Sequence, residues 1–321
     1  MAHPPIAVMK FRFGATVVAS DGEAADIAGV VVQPGQRAVT GVVVKIPGGT
    51  QVVVPPERIA DATAENMHVT VTREALLQAM PKLSRDMTVL SGNTKVQVNG
   101  SNFGNVSQVS MVAATHALHH LTIKRGLGGE FLIDAGSIVD ISDDGRAVAC
   151  QTTANAAPVP YRSDGEVLDD ARAALWNYAR LRVDLRAVQV RVVDGEVWLS
   201  GHVSSTLNRR VMAELLEGVK GVTAIHNDLV ADNELAIEIA QAFAKDPRTR
   251  GQRIGIYPTL GQVYLRGLAS TPEAMQAAAE IAGQIEGSSA VVNQIKVAGN
   301  AEFLPMLAPV TGTEDVIPGG D

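Results

Sequence analysis

The sequence predicts a multidomain fold: two small all-β barrels, followed by two α+β modules that each run α-β-β-α-β. Three observations lead there. The front half repeats at about 79 residues and the back half at about 66, and self-similarity at a fixed period marks duplicated structural units. The chain has 321 residues, too many for one ordinary core. Only 4% of residues are aromatic, so cores must be built from Val, Ile, Leu and Ala.

In the front half, Val30-Val31-Val32, Val42-Val43-Val44 and Val52-Val53-Val54 are short β-branched runs. Gln33-Pro34-Gly35-Gln36 and Pro47-Gly48-Gly49 punctuate them. Such a pattern predicts a small antiparallel barrel or meander. A copy starts near Leu90. Asp21-Gly22 is answered by Asn99-Gly100, and after one inserted residue the register holds at about 79, with Lys45 matching Lys124. The stretch Val17 to Ile59, with Asp21-Gly22-Glu23 and Val54-Pro55-Pro56-Glu57-Arg58-Ile59, resembles the PRC-barrel family. Val96 to Ile138 resembles it more weakly and lacks the proline. The resemblance implies docking modules and no particular chemistry.

In the back half, Gly195-Glu196-Val197-Trp198-Leu199-Ser200-Gly201 recurs as Gly261-Gln262-Val263-Tyr264-Leu265-Arg266-Gly267. Each copy reads helix, strand, tight turn, strand, helix, strand. Ser205 and Thr271 are set to cap the second helix of each copy, with Pro272 at the first helical position. Met212, Leu216 and Val219 share a helical face, as do Met275, Ala278, Ala282 and Ile285. Gly221 and Gly287 suit helix C-terminal caps. Gly195, Val197, Leu199, Gly201, Gly221, Val222, Ile225, Asn227 and Leu229, with their counterparts 66 residues on, are similar to the BON domain family. Ser288 replaces the valine after the second glycine. That resemblance implies a non-enzymatic role in phospholipid or envelope attachment, in osmotic stress, or in one branch in potassium sensing.

The expected boundaries are 8–78 and 85–151 for the barrels, 152–164 for a polar linker, 165–232 and 233–298 for the α+β modules, and 299–321 for a tail. The tail is rich in Pro, Gly and acidic residues and predicts no core of its own. Phe303, Leu304, Met306 and Leu307 stand out in it as apolar residues that dock on this chain or on a neighbour.

A net charge of −7 gives no global attraction to nucleic acid or to an anionic membrane. Cys150 is the sole cysteine, which excludes an intrachain disulfide. MAHPPIAVMKFRF has no basic start followed by a long apolar run, and no apolar stretch is long enough to span a bilayer. The expectation is a cytoplasmic protein, or one peripheral to a membrane. No grouping supports catalysis, a cofactor or a metal, so the chain reads as a non-catalytic scaffold that forms a homo-oligomer or filament. Peripheral binding to anionic phospholipid and stress-related ion sensing are the alternatives.

The interaction candidates follow from position. Trp198 and Tyr264 alternate away from the valine/leucine core face, so they pack on another part of the chain or on a partner. Leu168, Ala171, Leu175 and Tyr178 form a core stripe. Trp176 lies off it, between Arg172 and Arg180 four residues to either side. That strip suits an anionic surface or a contact between domains. His116, His119 and His120 read as structural or exposed. His119 and His120 would point to opposite faces of a strand, and no nearby cysteine or fixed carboxylate completes a ligand set. The glycine loop at Lys124–Gly129 leads into a strand and reads as a hairpin rather than a phosphate loop.

Overall fold

A computed structural model describes residues 6–126, 128–153 and 157–298. Phe303, Leu304, Met306 and Leu307 lie outside the described residues. The first copy contributes β1 (Val8–Arg12), β2 (Thr16–Ala19), β3 (Gly22–Gln33), β4 (Ala38–Lys45), β5 (Gln51–Val54), β6 (Ile59–Ala62), β7 (Asn66–Val69) and the short α1 (Arg73–Gln78). The second contributes β8 (Thr88–Ser91), β9 (Lys95–Val98), β10 (Ser101–Val112), β11 (Leu118–Lys124), β12 (Glu130–Asp134), β13 (Ile138–Ile141) and β14 (Ala147–Cys150). β3 and β10 start 79 residues apart, as do β2 and β9, so no inserted residue is needed at the first turn.

The two copies exchange strands. β3 gives the first half of one edge to β2 and the second half to β8, which belongs to the other copy. Reciprocally, β10 pairs β9 and then β1. One hydrophobic cluster therefore runs through both sheets, from Phe11 and Met67 to Leu90, Leu121 and Cys150. This corrects the expectation of two separate closed barrels. The hydrogen-bonded ladders end at β5 and β6 in one sheet and at β13 and a short strand, β15 (Val159–Pro160), in the other. A one-turn 3-10 helix links β5 to β6, where closing the sheet would need pairing. The hairpin reading of the glycine loop fits the ladder, in which Lys124 faces Glu130.

The described part of the 152–164 stretch is tied down. β15 pairs β12, and Tyr161 N–H donates to the Glu130 carbonyl. Ser163 and Glu166 then form a reciprocal capping box at the start of α2 (Asp164–Asn177).

The back half comprises α2, β16 (Val188–Val193), β17 (Glu196–Val203), α3 (Thr206–Glu217) and β18 (Ala224–Ala231), then α4 (Asp232–Lys245), β19 (Arg253–Thr259), β20 (Gln262–Ala269), α5 (Pro272–Gln284) and β21 (Ala290–Val297). Each copy is a three-stranded sheet with the middle strand antiparallel to the first and parallel to the third. Its helices cover one face. Ser205 and Thr271 accept from the backbone N–H of Asn208 and Ala274 respectively, so both caps form. Gly221 and Gly287 do not end the helices; Gly218 and Ile285 do. The two glycines instead take positive φ, 92° and 91°, in the turns leading into β18 and β21.

Asp194-Gly195 and Leu260-Gly261 form two-residue hairpin turns with both residues at positive φ. In each copy the aspartate opening the first helix holds this turn. Asp164 accepts from Gly195 N–H, and Asp232 accepts from Leu260 and Gly261 N–H. The two modules abut where His202 Nε2 lies 2.8 Å from the Gly287 carbonyl oxygen.

A shared core makes the two front sheets cooperative. Burial pushes the Cys150 thiol up to about 11, and Arg37 opposes this only in part. Alkylation of Cys150 therefore reports opening of the second sheet. Met67→Ala, buried in the first sheet, should cost about 2–5 kcal/mol and raise Cys150 labelling at least tenfold. Sheets that unfold independently would leave the labelling rate unchanged.

Candidate interaction surfaces and a buried polar junction

The core face of each small sheet is the valine/leucine face, so the alternate residues face outward. The first module buries its outward face against the front half. Trp198 is only 8% exposed and stacks on His226 with ring centroids 3.8 Å apart. Within this chain Trp198 is thus packed away from solvent.

Around that stack lies a polar junction. Asp194 is fully buried, and its Oδ2 lies 2.8 Å from His120 Nδ1, on β11. Its other oxygen is 3.4 Å from Lys10 Nζ, and Lys10 also reaches Asp164 at 2.7 Å. Glu196 faces His226 Nε2 at 2.9 Å and His119 Nε2 at 3.4 Å. Burial alone would raise the Asp194 carboxyl, but the His120 hydrogen bond and charge, with Lys10, hold it down at about 2. Burial would lower His120, yet Asp194 raises it above the ordinary imidazole value. Burial, and then His120, lowers His119. Burial would lower Lys10, and the Asp194 and Asp164 charges raise it instead.

The histidines depart from the sequence reading. Between the pairs Val109–Leu121 and Met111–Leu118, β10 supplies one residue and β11 supplies two, His119 and His120. This bulge breaks the alternation that would put the rings on opposite faces. Their centroids are 4.2 Å apart, edge to face. The missing carboxylates come from Asp194 and Glu196, more than 70 residues away in sequence. Thr40 takes the matching bulge position in the first copy, between Val39 and Gly41.

The second module leaves the same face open. Tyr264 sits opposite Tyr257, which is 53% exposed, and the Arg266 guanidinium lies over both rings. Tyr264 donates to Gln262, the counterpart of Glu196.

The arginine–tryptophan strip is rearranged. α2 ends at Asn177, so Arg180 falls in a following 3-10 turn and leaves the helical face shared by Arg172 and Trp176. Arg182 covers the Trp176 ring, 5.6 Å from its centroid, and donates to the Trp176 carbonyl. Nothing in the sequence spacing singled it out, because the chain turns after the helix. Tyr178 leaves the core stripe for the same reason, and Val167 joins Ala171 and Leu175 in the core. Leu168, Arg172 and Trp176 line a groove of about 1050 Å³ against β16, with Val188, Val190 and Arg191 on its far side. Trp176 is 58% exposed.

Removing one partner of a buried ion pair strands the other, at about 3–5 kcal/mol. Asp194→Asn should cost that much in urea unfolding. In a Trp176→Phe background, the emission of Trp198 should shift to the red at lower urea than in the parent. An unchanged midpoint would show that the junction does not hold the first module to the front half.

The BON domain family matches residues 166–233 and 231–299. The outer membrane lipoprotein DolP of Haemophilus influenzae is 25% identical over 164 residues, covering 47% of this chain and 84% of that protein. Two structures of CdsD, a structural protein of the type III secretion system of Chlamydia trachomatis, are 16% identical with a TM-score of 0.34. One alignment covers 43% of this chain and 62% of that one, and the other, to the C-terminal domain, covers 44% and 68%. At that score the likeness bears on neither fold nor role. The family match and the α-β-β-α-β order of both modules agree: this chain carries two BON domains in tandem in its back half.

Proposed function

We propose that this chain is a non-catalytic adaptor that binds an anionic phospholipid surface through its first BON domain and holds its β-rich front half there. The groove between α2 and β16 carries this reading. Its walls are apolar, Arg172 and Arg191 stand at it, and an exposed tryptophan lies along it under Arg182. Tryptophan and arginine together suit the boundary between headgroups and acyl chains. The chain is acidic overall, so the attraction must be local, and this patch supplies it. The BON match supports the reading, as does the name of the DolP relative, an outer membrane lipoprotein. Among the described residues no helix is long and apolar enough to cross a membrane. In this reading the front half is the docking module that its PRC-barrel-like pattern implies.

A second reading, self-association into an oligomer, is favoured by one observation. The second BON domain leaves open the sheet face that the first one buries, with Tyr257, Tyr264 and Arg266 on it. Exposed aromatic faces of this kind mark interaction surfaces.

Flotation with phosphatidylglycerol-containing vesicles tests the first reading. Binding at low salt should fall severalfold with Trp176→Ala or Arg172→Ala and should weaken as salt screens the arginines. No flotation at low salt would reject it. Sedimentation tests the second: association should weaken with Tyr257→Ser plus Tyr264→Ser, and a monomer at micromolar concentration would reject it.

A further inference from the structure

We propose that His119, His120 and Glu196 form a binding site for a divalent transition-metal cation of the zinc class, bridging the front half and the first BON domain. Each offers a ligand atom, and these atoms all lie within 4.8 Å of one another. His119 Nε2 stands 3.4 Å from Glu196 Oε1, long for a hydrogen bond. Two ligands at about 2.0–2.1 Å from a tetrahedral zinc are separated by about 3.3–3.4 Å, the edge of that tetrahedron. His119 Nε2 is buried and has no hydrogen-bond partner among the described residues. A buried polar atom left in that state calls for an explanation, and an ion is one.

The surroundings are those of a metal site. The Asp194 carboxylate, fully buried, takes His120 Nδ1 at 2.8 Å and fixes the ring, which leaves Nε2, 3.8 Å from the exposed Asp134 carboxylate, for a metal. His226 Nε2 holds the second oxygen of Glu196 at 2.9 Å and so orients that carboxylate. Charge points the same way. Asp194 and Glu196 are both buried, and among the described residues Lys10 is the only lysine or arginine paired with either. A divalent cation would replace the proton on His120 and supply positive charge against Asp194 and Glu196. Two imidazoles and one carboxylate favour zinc, copper or nickel over magnesium or calcium, and three protein ligands leave a position for water. The site occurs once, because Thr40 and Gly41 replace the histidines in the first front copy and Gln262 replaces Glu196 in the second BON domain.

The test uses the full chain without a histidine tag. After incubation with zinc chloride and gel filtration, bound zinc should approach one per chain. Glu196→Gln and His119→Ala should each lower zinc affinity at least tenfold, while His68→Ala, a histidine on β7 outside the cluster, should leave it unchanged. Cobalt(II) should give visible d–d absorption that zinc abolishes and excess magnesium does not. Glu196→Gln keeps the side-chain shape, so it decides the matter if His119→Ala fails to fold. Zinc retention by Glu196→Gln equal to wild type would overturn the proposal, as would equal loss in His68→Ala or displacement by magnesium.

Discussion

Two carboxylates sealed between domains, Asp194 and Glu196, set the terms for the rest of this molecule. Neither can be buried there alone, because an uncompensated charge out of water is expensive. Asp194 is met by groups from the front half, Lys10 and His120, while Glu196 is held by His226 of its own domain and faces His119 across the junction. That requirement fixes which face of the first BON sheet is covered and which side of the domain remains free. With Trp198 shut inside, the exposed aromatics of this domain are Trp176 and Tyr178, at the end of α2.

The second BON domain shows what the same backbone does without that charge pattern. The hairpin turn is identical in conformation, yet Leu260 stands for Asp194, Gln262 for Glu196, Tyr264 for Trp198 and Val292 for His226. No ionic counterpart is required, and the face stays open. Duplication thus supplied two equal scaffolds, and a few outward side chains made one an internal joint and the other a free surface. The front half diverged in parallel. The β11 bulge is present in both copies, but only the second fills it with histidine.

Much of this was legible in the sequence. The repeats placed both BON domains, and the helix starts at Ser205 and Thr271 followed from capping chemistry acting over a single turn. What depends on distant contacts was not legible. Strand exchange between the front copies leaves each strand's own pattern unchanged, because Phe11 of β1 and Leu90 of β8 are core residues whichever sheet receives them. The bulge at His119–His120 is a ladder irregularity, so period-2 reasoning pointed the two rings apart. Nothing in the sequence singled out Asp194, since its burial is imposed by a domain from earlier in the chain. Arg182 replaced Arg180 at Trp176 because α2 stops at Asn177, where a longer helix would have kept the expected spacing.

The two tryptophans allow a direct measurement of which side meets lipid. Trp176→Phe and Trp198→Phe variants each leave one emitter, and vesicles of anionic lipid brominated along the acyl chains quench only tryptophans that enter the bilayer boundary. If the α2–β16 groove is the lipid-facing side and the junction stays closed, Trp176 is quenched and Trp198 is not. Quenching of Trp198 equal to or stronger than that of Trp176 would contradict both the sealed junction and the assignment of the groove.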